Sequence, residues 1–281
     1  MIINDDCFEY LKQIESKSID AIVTDPPYMS TDLHFDKIGF DVDEWIKLSL
    51  SVLKDDGYLV SFGSIPLLGK ISTLIPLRWS GWWLKSGPVM RTHTAKKPMS
   101  LGEPYAVYAH PNHKIKNLVF NKLLIPGEPY KKVQRKTGFL RGGKDSLSRI
   151  NTSAWTTEGF VKVNEGTRQQ TDVLIGHSKN RMKHAERTTH PTQKPVSVIS
   201  TLILMCTNPG QKILDPFAGS GSTAIACIEN DREYICIEKD KDYFEIMKNR
   251  IENYKESEGK IIYKRIKRAK ENKDILEPQL S

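Results

Sequence analysis

Two short stretches, far apart in the chain, combine residue types that could do chemistry. The first is Asp25-Pro26-Pro27-Tyr28, placed directly after the apolar run Ile19 to Val23. Each proline has a fixed φ and no N–H, and each holds the residue before it extended, so this loop is stiff. It presents a carboxylate and backbone carbonyls as acceptors, with the flat ring of Tyr28 beside them. Such a set suits a planar group bearing an NH₂. An exocyclic amine on a nucleobase is a poor nucleophile, because its lone pair is delocalised into the ring. Asp25 and the Pro26 carbonyl could each accept one of its N–H bonds while Tyr28 stacks on the base. A base cannot present that edge inside a duplex and would have to be flipped out. A strand-end turn is the plain alternative, since Asp-Pro and Pro-Pro are common turn formers.

The second stretch is Lys212-Ile213-Leu214-Asp215-Pro216-Phe217-Ala218-Gly219-Ser220-Gly221-Ser222-Thr223, which reads as a short strand, a glycine loop and the start of a helix. Gly219 and Gly221 let the backbone turn sharply and approach a ligand, and the helix from Ser222 offers free N–H groups to an anion. Glu238, 19 residues after Gly219, ends the next strand, Tyr234 to Ile237, where a carboxylate can accept both hydroxyls of a ribose. The run Gly219 to Ala224 also satisfies the dinucleotide pattern G-x-G-x-x-G/A, so a nicotinamide enzyme is a rival reading. That rival gives Asp25-Pro26-Pro27-Tyr28 no role.

Together the two motifs resemble those of the S-adenosylmethionine-dependent amino-methyltransferases of DNA, with catalytic motif (D/N/S)PP(Y/F/W) and cofactor loop FxGxG. The catalytic motif comes first, a basic region follows and the cofactor loop comes last, the order of the β group of that family. Trp83-Leu84-Lys85, Glu103-Pro104-Tyr105 and His190-Pro191-Thr192-Gln193-Lys194-Pro195 extend the likeness over most of the chain. The resemblance implies a Rossmann-like class I methyltransferase fold of α/β type, a circularly permuted, mostly parallel seven-stranded sheet with a DNA-recognition insertion. It implies catalysis by Asp25, Pro26, Pro27 and Tyr28, and S-adenosylmethionine held by Asp6, Asp25, Lys194, Asp215, Phe217, Gly219, Gly221, Ser222, Thr223 and Glu238. The family's residue near the adenine is an Asp before Cys, matching Asp6-Cys7, but its usual preceding glycine is Asp5 here, so either acid is a candidate. No metal is implied. Asp-Pro-Pro-Tyr in this family goes mostly with adenine N6, and cytosine N4 is the alternative target. A glutamine methyltransferase of the Asn-Pro-Pro-Tyr type and a DNA-binding protein without catalysis are further readings. The partner implied is double-stranded DNA, with room for a homodimer and a cognate restriction endonuclease.

Charge is distributed in keeping with such a partner. The 281-residue chain carries a formal net charge of +8. Residues His110 to Arg187 contain 16 Lys and Arg against 6 Asp and Glu, so the remainder is slightly acidic. Aromatics at Phe120, Tyr130, Phe139, Trp155 and Phe160 are interleaved there, and Lys131, Lys132, Arg135, Lys136, Arg141 and Lys144 are candidates to neutralise phosphates. A solvated basic insertion is the alternative. Cys7, Cys206, Cys227 and Cys236 form no CxxC pair, the N-terminus turns acidic within six residues, at Asp5 and Asp6, and no apolar run is long enough to span a bilayer. A cytoplasmic protein with no membrane contact is expected.

The elements that must position these residues follow from apolar spacing. Strands are expected at Met1 to Asn4, Ile19 to Thr24, Tyr58 to Phe62, Trp79 to Leu84, Tyr105 to Tyr108, Lys212 to Asp215 and Tyr234 to Ile237. Helices are expected at Cys7 to Ile14, Asp43 to Leu53, between Pro66 and Pro76, at Val196 to Cys206, from Ser222 and at Asp240 to Tyr254. The circular permutation makes Met1 to Asn4 the strand that follows the one ending at Glu238. Organisation is expected as a catalytic half at 1–109, a recognition insertion at 110–187, a cofactor half at 188–254 and a charged tail at 255–281.

Overall fold

The computed structural model describes residues 1–28, 41–85, 100–137, 155–164, 166–182 and 186–257. The chain divides into two compact units, one formed by Met1–Asn121 with Asp172–Ser281 and the other by Lys122–Thr171.

The larger unit is an α/β sheet. Its strands are β1 (Ile2–Asn4), β2 (Ile19–Thr24), β3 (Leu53–Phe62), β4 (Leu77–Lys85), β5 (Gly102–Ala109), β10 (Val173–Gly176), β11 (Lys212–Asp215) and β12 (Glu233–Glu238). Their order across the sheet is β1-β12-β11-β2-β3-β5-β4-β10. β1, β12, β11, β2 and β3 run parallel. β5 is antiparallel to both β3 and β4. Residues 233–238 therefore pair with the strand from the chain's start, Ile2 opposite Cys236 and Asn4 opposite Glu238, as the circular permutation requires.

The central strands read as continuous apolar runs because both of their faces are covered. Ile22, Val23, Leu59, Val60, Val107, Leu214, Cys236 and Ile237 are all fully buried. Side chains of this size contribute roughly 1.5–3 kcal/mol each on burial. The covering helices are α1 (Cys7–Leu11), α2 (Val42–Val52), α3 (Ile65–Leu74), α4 (Val196–Cys206), α5 (Ser222–Glu229) and α6 (residues 241–257). Asp41 caps α2 by accepting from the Glu44 N–H at 3.0 Å. Ser64 caps α3, and Asp240 accepts from the Asp242 and Tyr243 N–H groups at the start of α6. α1 ends three residues before the expected boundary, where the Gln13 N–H donates to the Tyr10 carbonyl and Lys17 then takes a positive φ of 55°.

The eighth strand was not expected. β10 lies parallel to β4, with Trp82 opposite Val173 and Leu84 opposite Ile175. Gly81 makes the junction possible, since a Cβ there would lie 2.0 Å from the Asp172 carbonyl. That carbonyl accepts from the Trp82 N–H at 3.1 Å and the Tyr105 hydroxyl at 2.9 Å.

The smaller unit, Lys122–Thr171, lies within the expected insertion and is built of antiparallel pairs. β6 (Leu124–Pro126) pairs with β9 (Thr167–Gln169), and β7 (Tyr130–Thr137) pairs with β8 (Trp155–Asn164) from Tyr130 opposite Asn164 to Thr137 opposite Trp155. Lys131, Lys132, Arg135 and Lys136 fall on β7, while Arg141 and Lys144 lie outside the described residues. The tail beyond residue 257 also lies outside them. Among the described residues no helix is long and apolar enough to cross a membrane, and all four cysteines are buried free thiols.

Candidate active site

Strands β2 and β11 are neighbours, Ala21 opposite Ile213 and Ile22 opposite Leu214. Both end at one edge of the sheet, so the Asp25 loop and the Gly219 loop open side by side, at the carboxyl ends where α/β sheets bind ligands. Between and beyond them is a cavity of about 950 Å³. Asp25, Pro26, Pro27 and Tyr28 line it, as do Asp6, Lys194, Asp215, Phe217, Gly219, Ser222, Thr223 and Glu238. The structure thus gathers onto one cavity residues that the sequence separates by some two hundred positions. Asp5 and Gly221 are not in the lining, whereas Asp6 is; Gly221 turns the loop from behind, against Met247.

The two loops are tied by a buried acid. Asp215 accepts from the hydroxyls of Thr24 at 2.8 Å and Thr223 at 2.6 Å and from the Phe217 N–H at 3.1 Å. Burial nonetheless pushes its pKa up to about 6. At the glycine loop, Gly219 and Gly221 have φ of +51° and +76°, left-handed values that other residues rarely take. A Cβ on Gly219 would lie 3.0 Å from the His190 ring, and one on Gly221 would lie 2.7 Å from Met247. The loop is also held from α6, where Arg250 donates to the Ser220 carbonyl at 3.0 Å and the Ser222 hydroxyl at 3.0 Å. Burial brings the Arg250 pKa down to about 10.

The end of β12 closes this side. Glu238 accepts from the Gly219 and Asp240 N–H groups, each at 2.8 Å, and burial raises its pKa. Asp6 caps α1 through the Phe8 N–H at 2.8 Å and accepts from Lys239 at 2.8 Å. Phe217 packs edge-on against buried Trp45 of α2, ring centres 5.7 Å apart. His190 rests against Tyr243 of α6 at 4.3 Å, and burial followed by the Lys194 charge brings its pKa down to about 4.

The Asp25 side is a charged cluster. The Lys194 ammonium contacts Asp25 Oδ2, lies 3.2 Å from the Tyr28 hydroxyl and pairs with Glu103 Oε2 at 3.1 Å. Tyr28 donates its hydroxyl to Asp25 Oδ1, and Lys85 pairs with Glu103 Oε1. Burial by itself would depress the Lys194 pKa, and the Asp25 and Glu103 carboxylates overcome it, so the amine stays protonated. Expected among the cofactor residues, Lys194 points its side chain to the Asp25 loop, and its carbonyl accepts from the Ser222 hydroxyl at 2.7 Å. Gln193 holds the loop that carries it by donating to the Glu186 carbonyl at 2.8 Å and accepting from the Thr188 N–H at 2.8 Å. Trp82 and Trp83 divide as alternate strand residues must. Trp83 is core and donates to the Gly176 carbonyl, while Trp82 is 45% exposed and lines the cavity.

Lys85, Glu103 and Arg250 were not singled out from the sequence. Glu103 and Lys85 appear there only as members of family patterns. Their placement at the ends of β5 and β4, where Trp83 faces Glu103 across an antiparallel pair, was the signal that could have joined them.

Comparison with known proteins bears on the family and the fold. The family model for N6/N4 methyltransferases, described as DNA methylase, matches residues 19–249. The type II methyltransferase M1.MboII of Moraxella bovis is 27% identical over 250 residues, covering 82% of this chain and 87% of that protein. The crystal structure of an M1.HpyAVI–SAM complex superposes with a TM-score of 0.58 at 24% identity, covering 89% of this chain and 98% of the other. PvuII DNA methyltransferase, a cytosine-N4-specific enzyme, superposes at 0.59 with 14% identity, covering 89% and 85%. At these identities the two superpositions speak for the fold, which is that of the class I methyltransferases. The family match spans most of the chain, and the chain belongs to the S-adenosylmethionine-dependent N6/N4 DNA methyltransferase family.

Proposed function

We propose that this methyltransferase transfers a methyl group from S-adenosylmethionine to the N6 amine of a flipped adenine in duplex DNA. The observation that carries the reading is that Asp25 and the glycine loop, through Gly219 and Ser220, line one cavity. When bound, S-adenosylmethionine supplies a methyl group made electrophilic by its positively charged sulfur. The site fits it: Gly219 and Ser220 of the glycine loop line the cavity, and Glu238 at the end of β12 lines it beside them. Glu238 would hold the ribose, Asp6 the adenine side, Phe217 the face of the cofactor, and the N–H groups at Ser222 and Thr223 its carboxylate.

Asp25 and the Pro26 carbonyl receive the two N–H bonds of the target amine and draw its nitrogen toward tetrahedral geometry. Two adjacent prolines keep both acceptors fixed, so little reorganisation is needed at the moment of transfer. Tyr28 and Pro27 present their faces to the base. Asp25-Pro-Pro-Tyr favours adenine over cytosine through the family pattern. Lys131, Lys132, Arg135 and Lys136 on β7 supply phosphate contacts from the smaller unit, which serves as the recognition module.

The test is incubation with methyl-labelled S-adenosylmethionine and mixed-sequence duplex DNA, followed by digestion to nucleosides. Label in N6-methyldeoxyadenosine is expected. Label in N4-methyldeoxycytidine would keep the mechanism and overturn the base assignment. In parallel, Asp25→Ala is expected to abolish transfer while cofactor binding, read by calorimetry, survives; normal turnover in that variant would remove the catalytic role of the loop.

A further inference from the structure

We propose that Lys194 is a displaceable plug of the target-amine site and that Glu103 is the carboxylate that receives it when the base arrives. The proposal rests on the reading of Asp25 as the acceptor of the target amine. A nitrogen bearing N–H donors already occupies that place: the Lys194 ammonium contacts Asp25 Oδ2 and lies 3.2 Å from the Tyr28 hydroxyl. Tyr28 fills the other oxygen, Asp25 Oδ1. Both oxygens of the acid are therefore already engaged by the protein, and an incoming amine competes at Asp25 with a donor already in place.

Lys194 is the donor with somewhere to go. Its side chain is 6% exposed, so leaving Asp25 for water is not open to it, and a buried ammonium stripped of partners costs several kcal/mol. Glu103 Oε2 lies 3.1 Å from Lys194 Nζ and takes no well-aligned hydrogen bond among the described residues. The exchange thus requires only that the ammonium tighten on a carboxylate it already faces. Lys85 holds the other oxygen, Oε1, which fixes Glu103 in place as the receiver. Two lysines and two carboxylates keep the cluster neutral before and after the shift. The Lys194 ammonium also lies over the rings of Phe62, Tyr28 and Trp83, at 5.3, 5.5 and 6.0 Å, which favours the charge at this place.

Glu103 and Lys194 are positioning residues in this scheme, and a double-mutant cycle isolates their coupling. Single-turnover transfer to DNA is measured for the wild type, Glu103→Gln, Lys194→Gln and the double variant, with cofactor affinity measured by calorimetry on each. Glu103→Gln is expected to slow transfer on the order of tenfold with cofactor affinity unchanged, because Lys194 then has only Asp25 to hold. The double variant should be no slower than Lys194→Gln alone, since a receiver without a plug has no task. A wild-type rate in Glu103→Gln, or losses that simply multiply in the double variant, would overturn the proposal. If Lys194→Gln fails to bind cofactor, Lys194→Arg takes its place: a guanidinium fork grips Asp25 with two N–H bonds and should slow transfer, and a wild-type rate would refute the plug. Full activity in Asp25→Ala is a separate result, which removes the amine-acceptor reading itself.

Discussion

Replacing Asp215 with Asn is expected to remove a pH-dependent cost to stability. Asp215 is 4% exposed, and burial raises its carboxyl pKa from 3.8 to about 6 despite three donated hydrogen bonds. A shift of about two units corresponds to roughly 3 kcal/mol between the two protonation states. The sign follows from the folded pKa lying above the unfolded one. Between pH of about 4 and 6 the native state binds more protons than the unfolded chain, so stability falls as pH rises through that window and stays lower above it. The assay is urea unfolding of the wild type and Asp215→Asn at pH 4, 5, 6 and 7. The free-energy difference between them should move by about 2.4 kcal/mol in favour of the variant from pH 4 to 7, most of the full linkage, whatever other groups titrate in both. A difference that does not change with pH would refute the reasoning. A change in the opposite direction would mean that the Thr24, Thr223 and Phe217 donors outweigh burial and hold Asp215 as an anion.

Two further perturbations probe the two units separately. Gly221→Ala places a side chain at φ +76° with its Cβ 2.7 Å from Met247, so a stability loss of about 1–2 kcal/mol is expected from the left-handed backbone alone, seen as a lower thermal midpoint and weaker cofactor binding in calorimetry. Replacing Lys131, Lys132, Arg135 and Lys136 together with Ala should weaken DNA binding and flatten the slope of log affinity against log salt by up to about 3.6, if each contacts one phosphate. An unchanged slope in a filter or anisotropy titration would take β7 out of the DNA contact.

The sequence was legible where one physical pressure dominated. Ile19 to Val23 and Ile213-Leu214 read as strands because they are covered on both faces. Gly219 and Gly221 were readable as backbone requirements, and both take positive φ. β10 was not legible, because Val173-Leu174-Ile175 is too short to signal a strand until Gly81 admits the Asp172 carbonyl beside β4. The strands at Lys122–Thr171 show weak alternation, as paired ribbons of mixed polar and basic residues do. The charged cluster escaped for another reason. Lys85, Glu103 and Lys194 belong to three separate segments, and only tertiary packing makes partners of them.

The register between β2 and β11 has a practical reach. These strands carry the two halves of the candidate site, yet the chain between them includes the whole of residues 122–171, so it is the hydrogen-bonded seam and the Thr24–Asp215 bond that hold the halves in step. Cutting the chain within 122–171 leaves one fragment with the Asp25 loop and another with the Gly219 loop. On the proposed reading each holds half of what transfer needs, and each carries strand edges that the other fills: β2 against β11, β4 against β10 and β1 against β12. The fold thus offers a methyltransferase whose activity can be made conditional on bringing two polypeptides together.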